Sequence, residues 1–170
     1  AIAKFMASGM QFLVASSFSK NFSLYGERVG ALSVVASDSG EAERLLSQLK
    51  ILVRTNYSNP PTHGAAIVAT VLADAELRTM WEQELAAMRG RIKAMRQQLA
   101  EGLAEAGAAR DMRFITQQVG MFSYSGLSRE QMLKLRNEFG VYGLDSGRLC
   151  VAALNPDNIA YVCASVAQVL

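Results

Sequence analysis

One unbroken apolar run near the start of the chain, Phe12-Leu13-Val14-Ala15, most limits how the chain can fold. Its lack of alternation predicts a strand buried on both faces, as in the parallel sheet of an α/β protein. Residues 29–36 are apolar and β-branched, and predict a second buried strand. Lys20 closely follows the first strand, and open α/β sheets bind ligands beyond the carboxyl ends of their strands. We therefore expect Lys20 to be a buried nucleophile, because burial disfavours the ammonium form and frees the amine.

The polar side chains around Lys20 suit a phosphate group. Ser17 and Ser19 offer hydroxyls, and Arg28 offers a planar fork of donors that matches a phosphate dianion. A lysine that can bond to an aldehyde beside a phosphate clamp is what pyridoxal phosphate (PLP) requires. The alternatives are a solvated loop lysine and, for Arg28, a surface charge or an ion pair with Glu27.

Capping residues and helix breakers predict three helices in the middle of the chain. Asp38 and Glu41 are spaced for the start of the first helix, which Asn59-Pro60-Pro61 ends. Residues 64–73 predict a small apolar helix, and Asp74 caps a third helix about 45 Å long. A stripe of apolar residues, typical of a core or of a helix–helix seam, runs along this third helix: Leu77, Trp81, Leu85, Met88, Ile92, Met95, Leu99 and Leu103.

The remainder of the chain predicts a smaller mixed α/β region. Short strands are expected near residues 114–115, 121–124, 141–142 and 149–151. Ser128 and Gln131 form a capping-box pattern, and Gly140 suits the end of the helix that follows. Asn155-Pro156 predicts the start of the last helix, since proline is favoured in a first turn.

Composition excludes several classes of protein. Hydrophobic residues make up 51% of the chain and charged residues 19%, which predicts a packed core rather than disorder. The net charge of +2 comes without a basic stripe, which argues against a nucleic-acid or membrane-surface protein. No apolar run is as long as a membrane span and no signal peptide is visible, so we expect a cytoplasmic protein. Cys150 and Cys163 are expected to be reduced, packed thiols, and the lone His63 leads us to expect no metal site.

The segment from Ser17 to Gly30, Ser-x-Ser-Lys-Asn-Phe-x-Leu-Tyr-x-Glu-Arg-Val-Gly, resembles the cofactor-lysine segment of class I aspartate and aromatic amino-acid aminotransferases. The resemblance continues through residues 56–61, 120–124 and 146–148. It implies a fold-type I PLP-dependent transferase and, more narrowly, its C-terminal portion. Residues 1–87 would then be the end of the large mixed-sheet domain, and residues 88–170 the small α/β domain beyond a long linking helix. Family members carry roughly 200 residues or more before this point, and the chain begins without an initiator methionine, so we expect a piece of a two-domain enzyme.

The resemblance implies a role for each residue near the cofactor. Lys20 would carry PLP as a Schiff base and move the α-proton of the substrate. Arg28, Ser17 and Ser19 would bind the phosphate of the cofactor. Tyr25 matches a tyrosine near the cofactor in the family.

The substrate-binding residues follow from the same resemblance. Arg148 would bind the α-carboxylate of the amino acid. Arg54 would bind the side-chain carboxylate of dicarboxylic substrates in the site of a partner subunit, with Ser58 and Asn59 at the interface of a homodimer. Phe122 would line the entrance to the site. The alternatives are a helix-terminal arginine at Arg54, favoured by the helix dipole, and a core aromatic at Phe122.

The segment from Arg148 to Asn155 looks closer to bacterial aromatic (tyrosine) aminotransferases than to strict aspartate enzymes. The resemblance therefore implies transfer of the amino group of an aromatic amino acid, and also of aspartate or glutamate, to a 2-oxo acid. Alternatives are a strict aspartate aminotransferase, another PLP-dependent chemistry on the same fold, or a non-catalytic fragment or interaction module. The family's aspartate that pairs with the pyridine nitrogen precedes the lysine by tens of residues. We therefore expect these 170 residues alone to be incomplete as an enzyme.

Overall fold

The computed structural model describes residues 2–170, and Ala1 lies outside the described residues. The chain divides into two compact units, one ending at Gln83 and the other spanning Glu84–Leu170. The domain boundary after residue 87 stays a prediction. Over residues 2–170, no helix is long and apolar enough to cross a membrane.

The first unit contains two strands and three complete helices in the described part of the chain. They are α1 (Ile2–Ala7), β1 (Phe12–Ser17), β2 (Gly30–Val35), α2 (Ser39–Tyr57) and α3 (His63–Ala73). The long helix α4 (Ala75–Glu105) begins in the first unit and ends in the second.

The second unit holds the remaining elements. They are a 3₁₀ helix (Arg113–Gln117), β3 (Phe122–Tyr124), α5 (Arg129–Phe139), β4 (Arg148–Cys150), a second 3₁₀ helix (Val151–Ala153) and α6 (Ile159–Ala167).

The prediction that the first strand is buried on both faces in a parallel sheet is wrong for this chain. β1 and β2 pair antiparallel, from Phe12 opposite Val35 to Ser17 opposite Gly30. Phe12 is half-buried and packs on Phe5 of α1 with 5.6 Å between the ring centroids, whereas Leu13 is 66% exposed. An antiparallel pair needs cover on only one face, so an unbroken apolar run does not imply that both faces are buried.

The predicted helix signals of the first unit are confirmed. Asp38 caps α2, and its Oδ1 accepts a 2.7 Å hydrogen bond from the backbone N–H of Glu41. α2 ends at Tyr57, just before the two prolines. The Oδ1 of Asp74 accepts hydrogen bonds of 2.9 Å from the first-turn N–H groups of Glu76 and Leu77, which stabilises the start of α4.

The core of the second unit forms around the C-terminal half of α4. Met95, Leu99 and Leu103 of the predicted stripe are buried there, while the earlier Leu77 and Met88 stay exposed. The capping box is confirmed: Ser128 and Gln131 exchange hydrogen bonds of 3.2 and 2.8 Å at the start of α5. The buried apolar residues of the second unit form one cluster: Met95, Leu99, Leu103, Met112, Ile115, Leu127, Met132, Leu135, Val141, Val151, Leu154, Cys163, Val166 and Val169.

Two predicted strands and one predicted helix start in the second unit are wrong. Residues 114–115 lie in a 3₁₀ helix, because Asp111 accepts from the N–H of Arg113 and tightens the turn. Residues 141–142 form no strand, since the Val141 N–H donates to the carbonyl of Leu135 and closes α5. α6 begins at Ile159 rather than at Asn155-Pro156, because the Asn155 side chain accepts from the next two free N–H groups and holds a turn first.

The two cysteines are free thiols. Cys163 is buried in the core, and burial raises the pKa of its thiol. Cys150 is half-buried at the end of β4. Both therefore match the expectation of packed thiols that form no disulfide with each other.

Candidate active site

The loop of residues 18–29 joins β1 to β2 and carries most of the predicted cofactor-binding residues. The strand pair closes at Ser17 opposite Gly30, and the Phe18 N–H extends it with a 3.1 Å hydrogen bond to the carbonyl of Val29. Ser17 therefore stands at the carboxyl end of β1, and Ser19 and Lys20 follow at the start of the loop. Arg28 lies at the other end of the same loop, two residues before β2 begins.

Aromatic side chains hold this loop in place. The indole Nε1 of Trp81 donates a 2.6 Å hydrogen bond to the carbonyl of Asn21. The ring of Phe22 stacks on that indole, with 4.7 Å between centroids, and Phe18 meets Phe22 edge-on at 5.5 Å. Sequence reasoning assigned Trp81 only to the apolar stripe of α4. The signal that was available is the indole N–H, which needs an acceptor when it is partly buried.

A glycine lets α3 approach the same loop closely. A Cβ added at Gly64 would lie 3.0 Å from the Cβ of Glu27 and 3.1 Å from the Cβ of Val29. Any larger residue would therefore push the start of α3 away from the loop. The start of α3 therefore packs against the end of the loop at Glu27 and Val29, while Trp81 holds the part at Asn21 and Phe22.

Tyr25 contacts both basic residues of the loop. The Nζ of Lys20 lies 4.7 Å from the centroid of the Tyr25 ring, and the Nη1 of Arg28 donates a 3.1 Å hydrogen bond to the Tyr25 carbonyl. Lys20 is exposed, so the prediction of a buried lysine is wrong for this chain. The physical reason is that Trp81 anchors the loop through Asn21 and Phe22 and not through Lys20. The amine of Lys20 faces the ring of Tyr25 instead.

Arg28 adopts a backbone conformation that is unusual for a residue with a side chain. Its φ is +52°, in the left-handed region. Its guanidinium is exposed and has no carboxylate partner among residues 2–170, so the ion pair with Glu27 is absent from the described structure. Within residues 2–170 one of its donors is engaged, with the Tyr25 carbonyl, which leaves the remaining donors available to an anion.

The hydroxyls complete a donor set that fits a phosphate. Ser19 is only 3% exposed, and its backbone N–H donates a 3.2 Å hydrogen bond to the Oγ of Ser17. That bond uses Ser17 Oγ as an acceptor and leaves its hydroxyl proton free to donate. Ser17 at the end of β1, and Ser19, Lys20 and Arg28 in the loop that follows, offer the types of donor and the amine that the phosphate and aldehyde of PLP require.

The C-terminal end of α2 brings Arg54 and Ser58 together. The Nη1 of Arg54 donates a 3.1 Å hydrogen bond to the Oγ of Ser58, whose φ is +69°. Arg54 lies in the last turn of α2 and is exposed, so it also has the position of an arginine favoured by the helix dipole. Asn59 follows, and its N–H donates to the carbonyl of Tyr57 at 2.9 Å.

The second unit brings Arg148 onto Phe122. The guanidinium carbon of Arg148 lies 4.7 Å from the centroid of the Phe122 ring. The two residues occupy the paired strands β3 and β4, in which Phe122 is opposite Cys150 and Tyr124 is opposite Arg148. Phe122 is 41% exposed, which does not fit a core aromatic.

The turn before Arg148 is fixed by close packing. Gly147 has a φ of +82°, and a Cβ there would lie 2.7 Å from the carbonyl oxygen of Leu127. The buried Oγ of Ser125 donates a 2.7 Å hydrogen bond to the Gly147 carbonyl, and the Ser125 N–H donates to the same oxygen at 2.9 Å. The backbone from which Arg148 projects is therefore held on both sides. Sequence reasoning did not identify Ser125, because its partner lies 22 residues away.

Comparison with known proteins extends this picture. The family model for aminotransferase class I and II matches residues 1–166. An aspartate aminotransferase of Pseudomonas aeruginosa is 55% identical over 170 residues, which are 100% of this chain and 43% of that protein. An aromatic-amino-acid aminotransferase of Escherichia coli is 50% identical over the same 100% of this chain and 43% of its own length. The chain thus spans less than half the length of these relatives.

A solved structure matches the fold. An aromatic-amino-acid aminotransferase from Burkholderia pseudomallei, covalently bound to pyridoxal phosphate, is 58% identical with a TM-score of 0.95. The match covers 99% of this chain and 42% of that one. The predicted fold class, a fold-type I PLP-dependent transferase, is thereby confirmed. Both the sequence and the fold show that this chain belongs to the class I and II aminotransferases.

Proposed function

We propose that the protein to which these residues belong is a PLP-dependent aminotransferase. It transfers the amino group of an aromatic amino acid, and also of aspartate or glutamate, to a 2-oxo acid. The observation that carries this proposal is that Lys20 and Arg28 both contact Tyr25 in the loop of residues 18–29, with Ser19 in the same loop and Ser17 at the end of the preceding strand. The family membership and the PLP-bound relative support the same cofactor.

The residues of the loop divide the cofactor between them. Lys20 holds the aldehyde end covalently, and Arg28 with Ser17 and Ser19 holds the phosphate by charge-assisted hydrogen bonds. Bound PLP supplies an electron sink for the bond that breaks at the α-carbon of the substrate. Once the amino group of the substrate had displaced it from the aldehyde, the freed amine of Lys20 would be the base that moves the proton at the α-carbon.

The arginines choose the substrate by its carboxylates. Arg148 binds the α-carboxylate with two parallel hydrogen bonds, and the Phe122 ring lies against its guanidinium, 4.7 Å from the central carbon. Arg54 binds the side-chain carboxylate of a dicarboxylic substrate. We propose a homodimer in which Arg54, Ser58 and Asn59 serve the site of the partner subunit, and a cytoplasmic location.

The second candidate function is a strict aspartate aminotransferase. Relatives of both names have similar identities to the chain, 55% and 50%, so the identities do not separate the two. The contacts of Arg54 favour dual specificity. Its guanidinium is exposed and held by one side-chain hydrogen bond to Ser58, so it can swing away when an aromatic ring enters. A non-catalytic module is disfavoured, since it has no need for both Lys20 and Arg28.

An absorbance titration with PLP tests the proposed cofactor. The wild-type protein should develop a pH-sensitive visible band on addition of PLP, and Lys20→Ala should not. Lys134→Ala is the matched control, because Lys134 is an exposed lysine on α5 and should keep the band. A Lys20→Ala protein with an unchanged band would overturn the assignment of Lys20, and a wild-type protein with no band would overturn the proposed cofactor.

A further inference from the structure

Arg96 is a buried arginine that sequence reasoning did not single out. It lies on α4 within the second unit and is only 4% exposed. Its Nε donates a 3.2 Å hydrogen bond to the Oγ of Ser123, and its Nη2 donates to the carbonyl of Gly120 at 2.6 Å and to that of Phe122 at 3.4 Å. The guanidinium therefore bonds to the start of β3 at three acceptors.

The partners of Arg96 are all neutral. No carboxylate forms an ion pair with it among residues 2–170. Burying a cation without an opposite charge is costly, and an apolar side chain could fill the same space without that cost. The reason for a guanidinium at this position is therefore the set of hydrogen bonds that its rigid fork of donors makes to the start of β3, and not its charge.

The strand that Arg96 holds carries the ring on which Arg148 lies. Side chains alternate along β3, so the buried Ser123 points toward Arg96 and Phe122 points to the other face, where it is exposed. The Phe122 ring lies 4.7 Å from the guanidinium carbon of Arg148. The hydrogen bonds of Arg96 therefore hold the backbone from which this ring projects toward Arg148.

We propose that Arg96 is a positioning residue for the substrate carboxylate, acting through Phe122 on the plane of Arg148. This inference rests on the proposed function in one respect, namely that Arg148 binds the α-carboxylate. A bidentate fork binds a carboxylate well only in the correct plane, so a tilted Phe122 weakens the binding of every amino-acid and 2-oxo-acid substrate. Arg148 contacts the carboxylate in the ground state as well as in the transition state. Weakening this contact therefore raises KM more than it lowers kcat.

The test compares Arg96→Lys and Arg96→Met with wild type in the PLP-loaded protein. Lysine supplies a point charge that cannot reproduce the fork, and methionine removes all three hydrogen bonds. KM for aspartate should rise about threefold in Arg96→Lys and about tenfold in Arg96→Met, as expected for weakened hydrogen bonds to a charged group. The dissociation constant for succinate, an unreactive dicarboxylate, should rise in parallel, while the PLP band and its pH dependence stay unchanged.

Two further variants separate positioning from general stability. Val166→Ala removes buried volume from α6 in the same core and should lower the unfolding temperature with KM unchanged. Ser123→Ala removes one acceptor of Arg96 and should raise KM in the same direction with a smaller effect. If neither Arg96 variant is soluble, Ser123→Ala alone decides, and an unchanged KM in it overturns the proposal.

A double-mutant cycle tests the route through Phe122. In a Phe122→Ala background, Arg96→Lys should change KM for aspartate less than twofold, because the ring that transmits its effect is gone. Additive effects of the two substitutions would overturn the proposal, and so would Arg96 variants that lose stability with wild-type KM. If the wild-type protein shows no PLP band, the proposed function is wrong. That result is obtained before any variant is made, so it is distinct from the outcomes above.

Discussion

The Nζ of Lys20 lies 4.7 Å from the centroid of the Tyr25 ring, so the side chain proposed to carry the cofactor rests against an aromatic face. An exposed contact of this kind is worth about 0.5–1 kcal/mol. Tyr25→Ala should therefore weaken PLP binding about two- to fivefold, measured by absorbance titration, because the amine loses the surface that holds it in place. Tyr25→Phe keeps the ring and should bind PLP as wild type does. An equal loss in both variants would mean that the hydroxyl matters and the ring contact does not.

Replacing Arg28 should weaken the binding of PLP and leave pyridoxal, which lacks the phosphate, unaffected. Because φ at Arg28 is +52°, glycine is the substitution that removes the side chain without backbone strain. Arg28→Gly should raise the dissociation constant of PLP about 10- to 100-fold, the range for a lost charge-assisted hydrogen bond. The ratio of the PLP and pyridoxal constants is the measurement. A parallel loss for both ligands would place Arg28 outside the phosphate site.

Substitution of Arg54 should separate the two classes of substrate. Arg54→Leu removes the proposed partner of a side-chain carboxylate, so kcat/KM for aspartate should fall at least 100-fold, about 3 kcal/mol of transition-state binding. Activity with phenylalanine should stay within about threefold of wild type, because an aromatic ring makes no ion pair. Ser58→Ala, which removes only the 3.1 Å hydrogen bond to Arg54, is the milder companion variant. Equal losses for both substrates would contradict the role proposed for Arg54.

Gly147→Ala should destabilise the protein through a backbone clash. The new Cβ would lie 2.7 Å from the Leu127 carbonyl at a φ of +82°. We expect a loss of about 2–4 kcal/mol in the free energy of unfolding, measured with urea. Gly140→Ala is the control, because its φ of +63° carries strain but nothing lies within 4 Å of the added Cβ. It should cost only about 1 kcal/mol. Similar losses at both positions would show that the close approach to Leu127 is not what constrains residue 147.

Asp111 should make a pH-dependent contribution to stability. Hydrogen bonds from the Arg113 side chain, 2.7 Å at the shortest, lower the pKa of Asp111 from 3.8 to about 2. A pKa that is lower in the folded state than in the unfolded state stabilises the fold at pH values above the unfolded-state pKa. This contribution disappears as the pH falls through the folded-state pKa. Asp111→Asn should thus lower the unfolding temperature slightly at pH 6, and the difference from wild type should close between about pH 4 and pH 2. A difference that is constant with pH would contradict the ion pair with Arg113.

Local signals in the sequence predicted much of the fold correctly. The Asp38 cap, the Ser128–Gln131 capping box and the end of α5 at Gly140 depend on residues within one turn of each other. Such signals act over a few residues, and the surrounding structure does not change them. The stripe on α4 was read correctly as apolar packing, but only its C-terminal half is buried within this chain.

The contacts that position the candidate site were harder to predict. Trp81 bonds to Asn21 across 60 residues, and Arg96 bonds to Gly120 across 24. No local pattern contains either pair, so the sequence assigned Trp81 only to the apolar stripe of α4 and gave Arg96 no role. The burial predicted for Lys20 and for β1 failed for a related reason, since an apolar run does not say which partner covers each face.

The motif predicted which residues form the candidate site, and the fold determines their neighbours. Ser17, Ser19, Lys20 and Arg28 come from one continuous segment, and the pairing of β1 with β2 places Ser17 at the end of β1 and the other three on the loop that joins the strands. The contact between Arg148 and Phe122 needed the pairing of β3 with β4, which join residues about 26 positions apart.

The most direct test of the account is to find which lysine carries the cofactor. The PLP-loaded protein is reduced with borohydride, which makes the lysine–cofactor bond permanent, and its peptides are then mapped by mass spectrometry. We predict a single phosphopyridoxyl group, on Lys20. A cofactor mapped to another lysine, or a protein that retains none after reduction, would contradict the central claim.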